Sequence, residues 1–71
     1  MNKTKFELID IAKAGASLVI DGKKFTKFEI IDIAKVILDG CTIEVQNCHS
    51  KTKYELIDIA KVAKAGKIIF S

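Results

Sequence analysis

The sequence predicts an α/β fold: three αβ units in tandem, with a three-stranded parallel sheet in the order 1-2-3 and the helices on one face, a short solenoid. Three observations carry this expectation. The nine residues KFELIDIAK at 5–13 return as KFEIIDIAK at 27–35 and as KYELIDIAK at 53–61. A threonine precedes each copy, and a glycine followed by a short β-branched run comes after it. The resulting order αβαβαβ joins its strands by helical crossovers, which make successive strands parallel and are almost always right-handed. One domain over 1–71 is expected, divided into units 4–25, 26–51 and 52–71.

The helix starts are the clearest local signal. Thr4, Thr26 and Thr52 are each followed three residues on by Glu7, Glu29 and Glu55. In that spacing the hydroxyl accepts from the backbone N–H of the glutamate, and the carboxylate accepts from the backbone N–H of the threonine. The glutamates also lie in the first turn, where the helix dipole favours negative charge. Gly15, Gly40 and Gly66 suit the left-handed position after a helix end. The first helix is then about one turn shorter than the others. The strand candidates are SLVID at 17–21, TIEVQN at 42–47 and KIIFS at 67–71.

Side-chain phase agrees with this layout. At about 100° per residue, Leu8, Ile9, Ile11 and Ala12 form a broad apolar arc, while Glu7, Asp10 and Lys13 share the other side. Ile30, Ile31, Ile33 and Ala34 repeat the arc, as do Leu56, Ile57, Ile59 and Ala60. On the strands, Leu18 with Ile20 and Ile43 with Val45 are expected to face the helices. Ile68 and Phe70 complete that layer, although Ile69 is apolar too and leaves the third register open. The opposite face then carries Ser17, Val19 and Asp21, Thr42, Glu44 and Gln46, and Lys67, Ile69 and Ser71, of which Val19, Thr42, Glu44, Gln46, Lys67 and Ile69 are the six expected to bind a partner.

The stretch IEVQNC at 43–48 is similar to the strand consensus LxLxxN/C of leucine-rich repeats, which also stack strand-plus-helix units. The resemblance covers six residues; Lys23 stands at the equivalent place after LVI. What it implies is a leucine-rich-repeat-like layout.

Composition bounds the function. The 71 residues are 49 % hydrophobic and 30 % charged, a globular balance. A chain of this size buries only about 60 % of its unfolded surface. So high an apolar share leaves apolar surface outside the core, which favours self-association. The net charge of +3 comes entirely from lysine. Without arginine the chain lacks the bidentate fork used to read guanine and phosphate. No run approaches the ~20 apolar residues of a membrane span, and no secretory signal is expected. Cys41 and Cys48, too far apart along an extended segment to bond each other, suit a reducing compartment, so a cytoplasmic protein is expected.

Few constellations could carry chemistry. Asp10, Asp32 and Asp58 recur with Lys13, Lys35 and Lys61 three residues on, a pattern of solvated intrahelical pairs. Phe6, Phe28 and Tyr54 recur outside the apolar arc, either as an exposed row for partner docking or as a row packed on the preceding loops. Cys48 and His49 are adjacent, and a buried Cys48 beside a surface His49 is expected in place of a catalytic or metal pair. No phosphate loop, zinc motif or nucleophile elbow occurs. No enzyme activity, cofactor or metal is therefore expected. The expected function is a small interaction module that self-associates as a homo-oligomer, or binds a protein partner, through the open sheet face or an edge strand. The alternative is nonspecific nucleic-acid binding through Lys23, Lys24, Lys27, Lys51 and Lys53.

Overall fold

The computed structural model describes residues 3–63 and 67–71. Helices α1 (Lys5–Lys13), α2 (Lys27–Ala34) and α3 (Lys53–Val62) alternate with strands β1 (Leu18–Asp21), β2 (Thr42–Gln46) and β3 (Lys67–Phe70). A single 3-10 turn, Cys48–Ser50, lies between β2 and α3. The strands form a parallel sheet in the order β1-β2-β3, as the alternation of elements predicts.

All three helices begin with the same reciprocal cap. Glu7, Glu29 and Glu55 donate their backbone N–H to Thr4, Thr26 and Thr52 Oγ1 at 3.3, 3.2 and 3.2 Å. The threonine N–H groups donate to the glutamate Oε1 atoms at 2.9, 2.9 and 2.8 Å. Two backbone donors that would otherwise be orphaned are satisfied at each start.

The helix ends differ from one another. At the end of α1, Gly15 takes φ +100° and donates to Ala12 O at 3.0 Å, while Ala16 donates to Ile11 O at 3.4 Å, the two bonds of a Schellman motif. Helix α2 does not run on to Gly40. It stops at Ala34, and Val36 and Ile37 donate to Ile33 O and Ala34 O in tighter i→i−3 bonds. Val36 and Ile37 are β-branched and gain little from a longer helix. The tightened turn instead delivers Ile37 to the core. Thus the additional residues of the second unit lengthen its connection and not its helix. Gly40 still takes a positive φ, +85°, in the turn closed by Cys41 donating to Leu38 O. The expected helix end at Gly66 lies outside the described residues.

Strand register follows side-chain alternation. Leu18 pairs with Ile43 and Ile43 with Ile68; Ile20 pairs with Val45 and Val45 with Phe70. Those six apolar residues share one face. Leu8, Ala12, Ile30, Ile33 and Ile59 from the helices meet it in one buried cluster, so the helices cover that face. Ile69 points away, which settles the third register in favour of Ile68 and Phe70. Helix α2 packs between α1 and α3. Phe25, which precedes the cap of α2, is buried in the same cluster as Ile30; the two occupy the positions of a hydrophobic staple.

Among the described residues, one glycine is required by close approach. Gly22 N–H donates to Gln46 O at 2.7 Å, and a Cβ at Gly22 would lie 2.7 Å from that same oxygen. Gly22→Ala should therefore destabilise the fold by ~1–3 kcal/mol through overpacking. Thr26→Ala, which removes the cap of the central helix, should cost about 1 kcal/mol. Urea unfolding followed by circular dichroism measures both, and a wild-type midpoint for Gly22→Ala would contradict the packing described.

Candidate interaction surfaces

The helix caps place the next two residues of each copy. Lysine follows threonine as the first helical residue, and the aromatic comes second. Lys5 Nζ reaches from α1 to Asp32 Oδ2 on α2 at 3.0 Å, and Lys27 Nζ reaches from α2 to Asp58 Oδ2 on α3 at 3.0 Å. The repeated aspartates thus serve mainly as partners for the preceding helix. Of the expected intrahelical pairs, one is present among the described residues: Lys35 lies 3.7 Å from Asp32 Oδ1. The signal for the interhelical pairs was available in the recurrence of TK at each helix start, since a lysine repeated at one helical position presents one direction of charge.

The aromatic row is exposed. Phe6, Phe28 and Tyr54 retain 71, 70 and 72 % of their surface, so the row does not pack on the preceding loops. Each ring has the lysine before it overhead, with Nζ 4.8, 4.9 and 5.4 Å from the ring centroid. This spacing suits a cation–π contact. The lysines therefore hold a charge over each ring while Lys5 and Lys27 also bind an aspartate.

The sheet face away from the helices carries Val19, Glu44 and Ile69 in one row across the three strands. Val19 and Ile69 are 48 and 46 % exposed, and Glu44 between them accepts from Ser71 Oγ at 3.1 Å. Thr42 lies beside Lys67, and Gln46 beside Asp21. Thr42 N–H donates to Ser17 Oγ at 3.0 Å. The six residues expected to bind a partner all lie on this face.

At the C-terminal ends of the strands, Asp21 Oδ1 accepts from Lys23 N–H and from Asn47 Nδ2, both at 2.9 Å. Asn47 sits in the left-handed region at φ 59°, a conformation asparagine tolerates. Its amide ties the residue after β2 to the last residue of β1, a role that no sequence motif marks. Cys48 is buried with Sγ 2.9 Å from Val45 O, beside an exposed His49.

The lysines expected to meet nucleic acid line two shallow grooves that share Lys51. Lys23, Lys24, Lys27 and Lys51 line a depression of about 540 Å³ with Phe25 and Phe28. Within it Lys51 Nζ donates to Phe25 O at 3.1 Å and Lys27 holds Asp58. Lys53 lines a second depression of about 490 Å³ with Leu56 and Phe70. No helix among the described residues is long and apolar enough to cross a membrane. The chain matches no known protein family, no curated protein and no solved structure.

Four carboxyls lie below their ordinary values. Glu7 and Glu55 are lowered from 4.5 chiefly by the backbone N–H of Thr4 and Thr52. Asp21 is lowered from 3.8 chiefly by the Asn47 side chain, and Asp32 chiefly by its hydrogen bond from Lys5. Depressed folded-state values mean that the unfolded chain binds protons first as pH falls. The stabilisation is present above 4.5 and is lost progressively as pH falls, from 4.5 for the glutamates and from 3.8 for the aspartates, through the lowered values. Thermal melts from pH 6 to pH 2 should show a falling midpoint over that window, at roughly constant ionic strength. In Lys5→Met, the Asp32 carboxyl should titrate closer to 3.8 than in the wild type, read by NMR.

Proposed function

We propose that the chain is a small non-enzymatic interaction module, a short αβ solenoid that self-associates or binds a protein partner through its open sheet face and edge strands. The observation that carries this reading is the apolar pair Val19 and Ile69, half exposed on the two edge strands of a sheet whose other face is filled by helices. Edge strands present unpaired backbone donors and acceptors, and apolar residues on them favour strand addition. The exposed row Phe6, Phe28 and Tyr54 offers a second contact strip of the residue type that dominates binding hot spots. Two free thiols, Cys41 and Cys48, support a cytoplasmic setting.

The lysine-lined groove beside Phe28 favours a second reading, nonspecific binding of nucleic acid. It ranks below the first because Lys27 and Lys51 already have protein partners. Its mark would be affinity for single-stranded DNA or RNA that falls steeply between 50 and 200 mM salt, on the order of one decade per few phosphates contacted.

The first reading is tested by sedimentation across a concentration series, together with capture of partners from host extract. The wild type should exceed monomer mass or recover one stoichiometric protein. Combining Val19→Lys with Ile69→Lys should lower that association at least tenfold without changing the circular dichroism spectrum. A wild type that stays monomeric and recovers no protein would contradict the proposal.

A further inference from the structure

The two ends of the helix row are complementary in the same terms that join the units internally. At each internal junction a lysine at the first helical position meets the aspartate of the next helix at 3.0 Å, Lys5 to Asp32 and Lys27 to Asp58. Continued one step, the pattern leaves Lys53 on α3 and Asp10 on α1, neither with an ion-pair partner among the described residues. One end therefore offers the donor of the pair and the other end the acceptor.

Burial follows the same rule. Leu8 and Ile30 are fully buried, but Leu56, at the equivalent place in the third copy, is half-buried. Ala12 and Ala34 are buried, but Ala60 is exposed. Ile20 and Val45 are buried, but Phe70 is only half-buried. At the α1 end the asymmetry reverses: Ile33 and Ile59 are fully buried, whereas Ile11 is half-buried. Each unit thus covers one set of apolar positions on the unit before it, and the two terminal helices retain the two halves of one junction.

Building on the proposed self-association, we infer that the partner is a second copy of this chain, docked head to tail, with α1 of one copy against α3 of the other. Lys53 meets Asp10 of the second copy, and β3 pairs with its β1. The register carries over from the internal junctions. Leu18 pairs with Ile43 and Ile43 with Ile68, so the next Leu18 lies beside Ile68 and the next Val19 beside Ile69. The contact uses a different surface on each copy, so it does not end at a dimer. Copies add at both ends, and the mass grows with concentration.

A charge-swap experiment tests this. Asp10→Lys places lysine at both ends of the chain, and Lys53→Asp places aspartate at both. Asp10 is exposed on α1 and Lys53 on α3, so circular dichroism should show both variants folded. By sedimentation velocity the wild type should grow past the dimer, while each variant alone should associate at least tenfold more weakly. Mixing the two variants in equal amounts restores opposite charges at every junction and should restore growth. Two variants that each assemble as the wild type does would overturn the inference. A wild type that stops at a dimer would also overturn it, and would leave self-association through the sheet face standing. A monomeric wild type would overturn it too, leaving a different protein as the partner of the proposed module.

Discussion

The reciprocal threonine–glutamate cap is the constraint on which the rest of the molecule depends. It fixes where each helix begins, and a helix whose start is fixed has the phase of every side chain fixed with it. Three identical starts at Thr4, Thr26 and Thr52 give three helices in one rotational setting. The lysine after the cap then aims at the neighbouring helix, the aromatic projects into solvent, and leucine or isoleucine enters the core. A shift of one residue in any start would turn an apolar arc off the sheet.

The interhelical ion pairs follow from that setting and contribute more to alignment than to stability. Asp32 and Asp58 keep about two-fifths of their side-chain surface in water, and pairs so exposed are screened and contribute little. Stability comes from the apolar layer between helices and sheet, centred on Ile43 and Val45 of the middle strand, both fully buried. The pairs nevertheless give each helix a direction: a donor toward the next helix and an acceptor toward the one before.

The fold was readable because the same signal occurs three times. One threonine–glutamate spacing is common; three in register, each followed by the same apolar arc, define helix, order and face together. The end of α2 was not readable, because Gly40 marks a turn that the helix never reaches. The competing force is burial of Ile37, a tertiary effect that no local rule reports. The repeat does not mark Phe25, because the first and third copies have Lys3 and Lys51 at that place. The sheet-face residues were located by alternation alone. The aromatic row is legible but its environment is not, since a phase outside the apolar arc suits Phe6, Phe28 and Tyr54 equally to solvent and to the preceding loops. The interhelical lysine–aspartate pairs are not legible from spacing within a helix, because the packing of parallel helices brings the first turn of one beside the second turn of the next.

The cap of each helix positions the charges that follow it. The most direct test titrates Asp32 by NMR in the wild type and in Thr4→Ala, a variant that alters neither Asp32 nor its partner Lys5. Asp32 should titrate below 3.8 in the wild type and move back toward that value when the cap of α1 is lost. An Asp32 that titrates identically in both proteins would contradict that positioning, because Lys5 would then reach its carboxylate without help from the helix start.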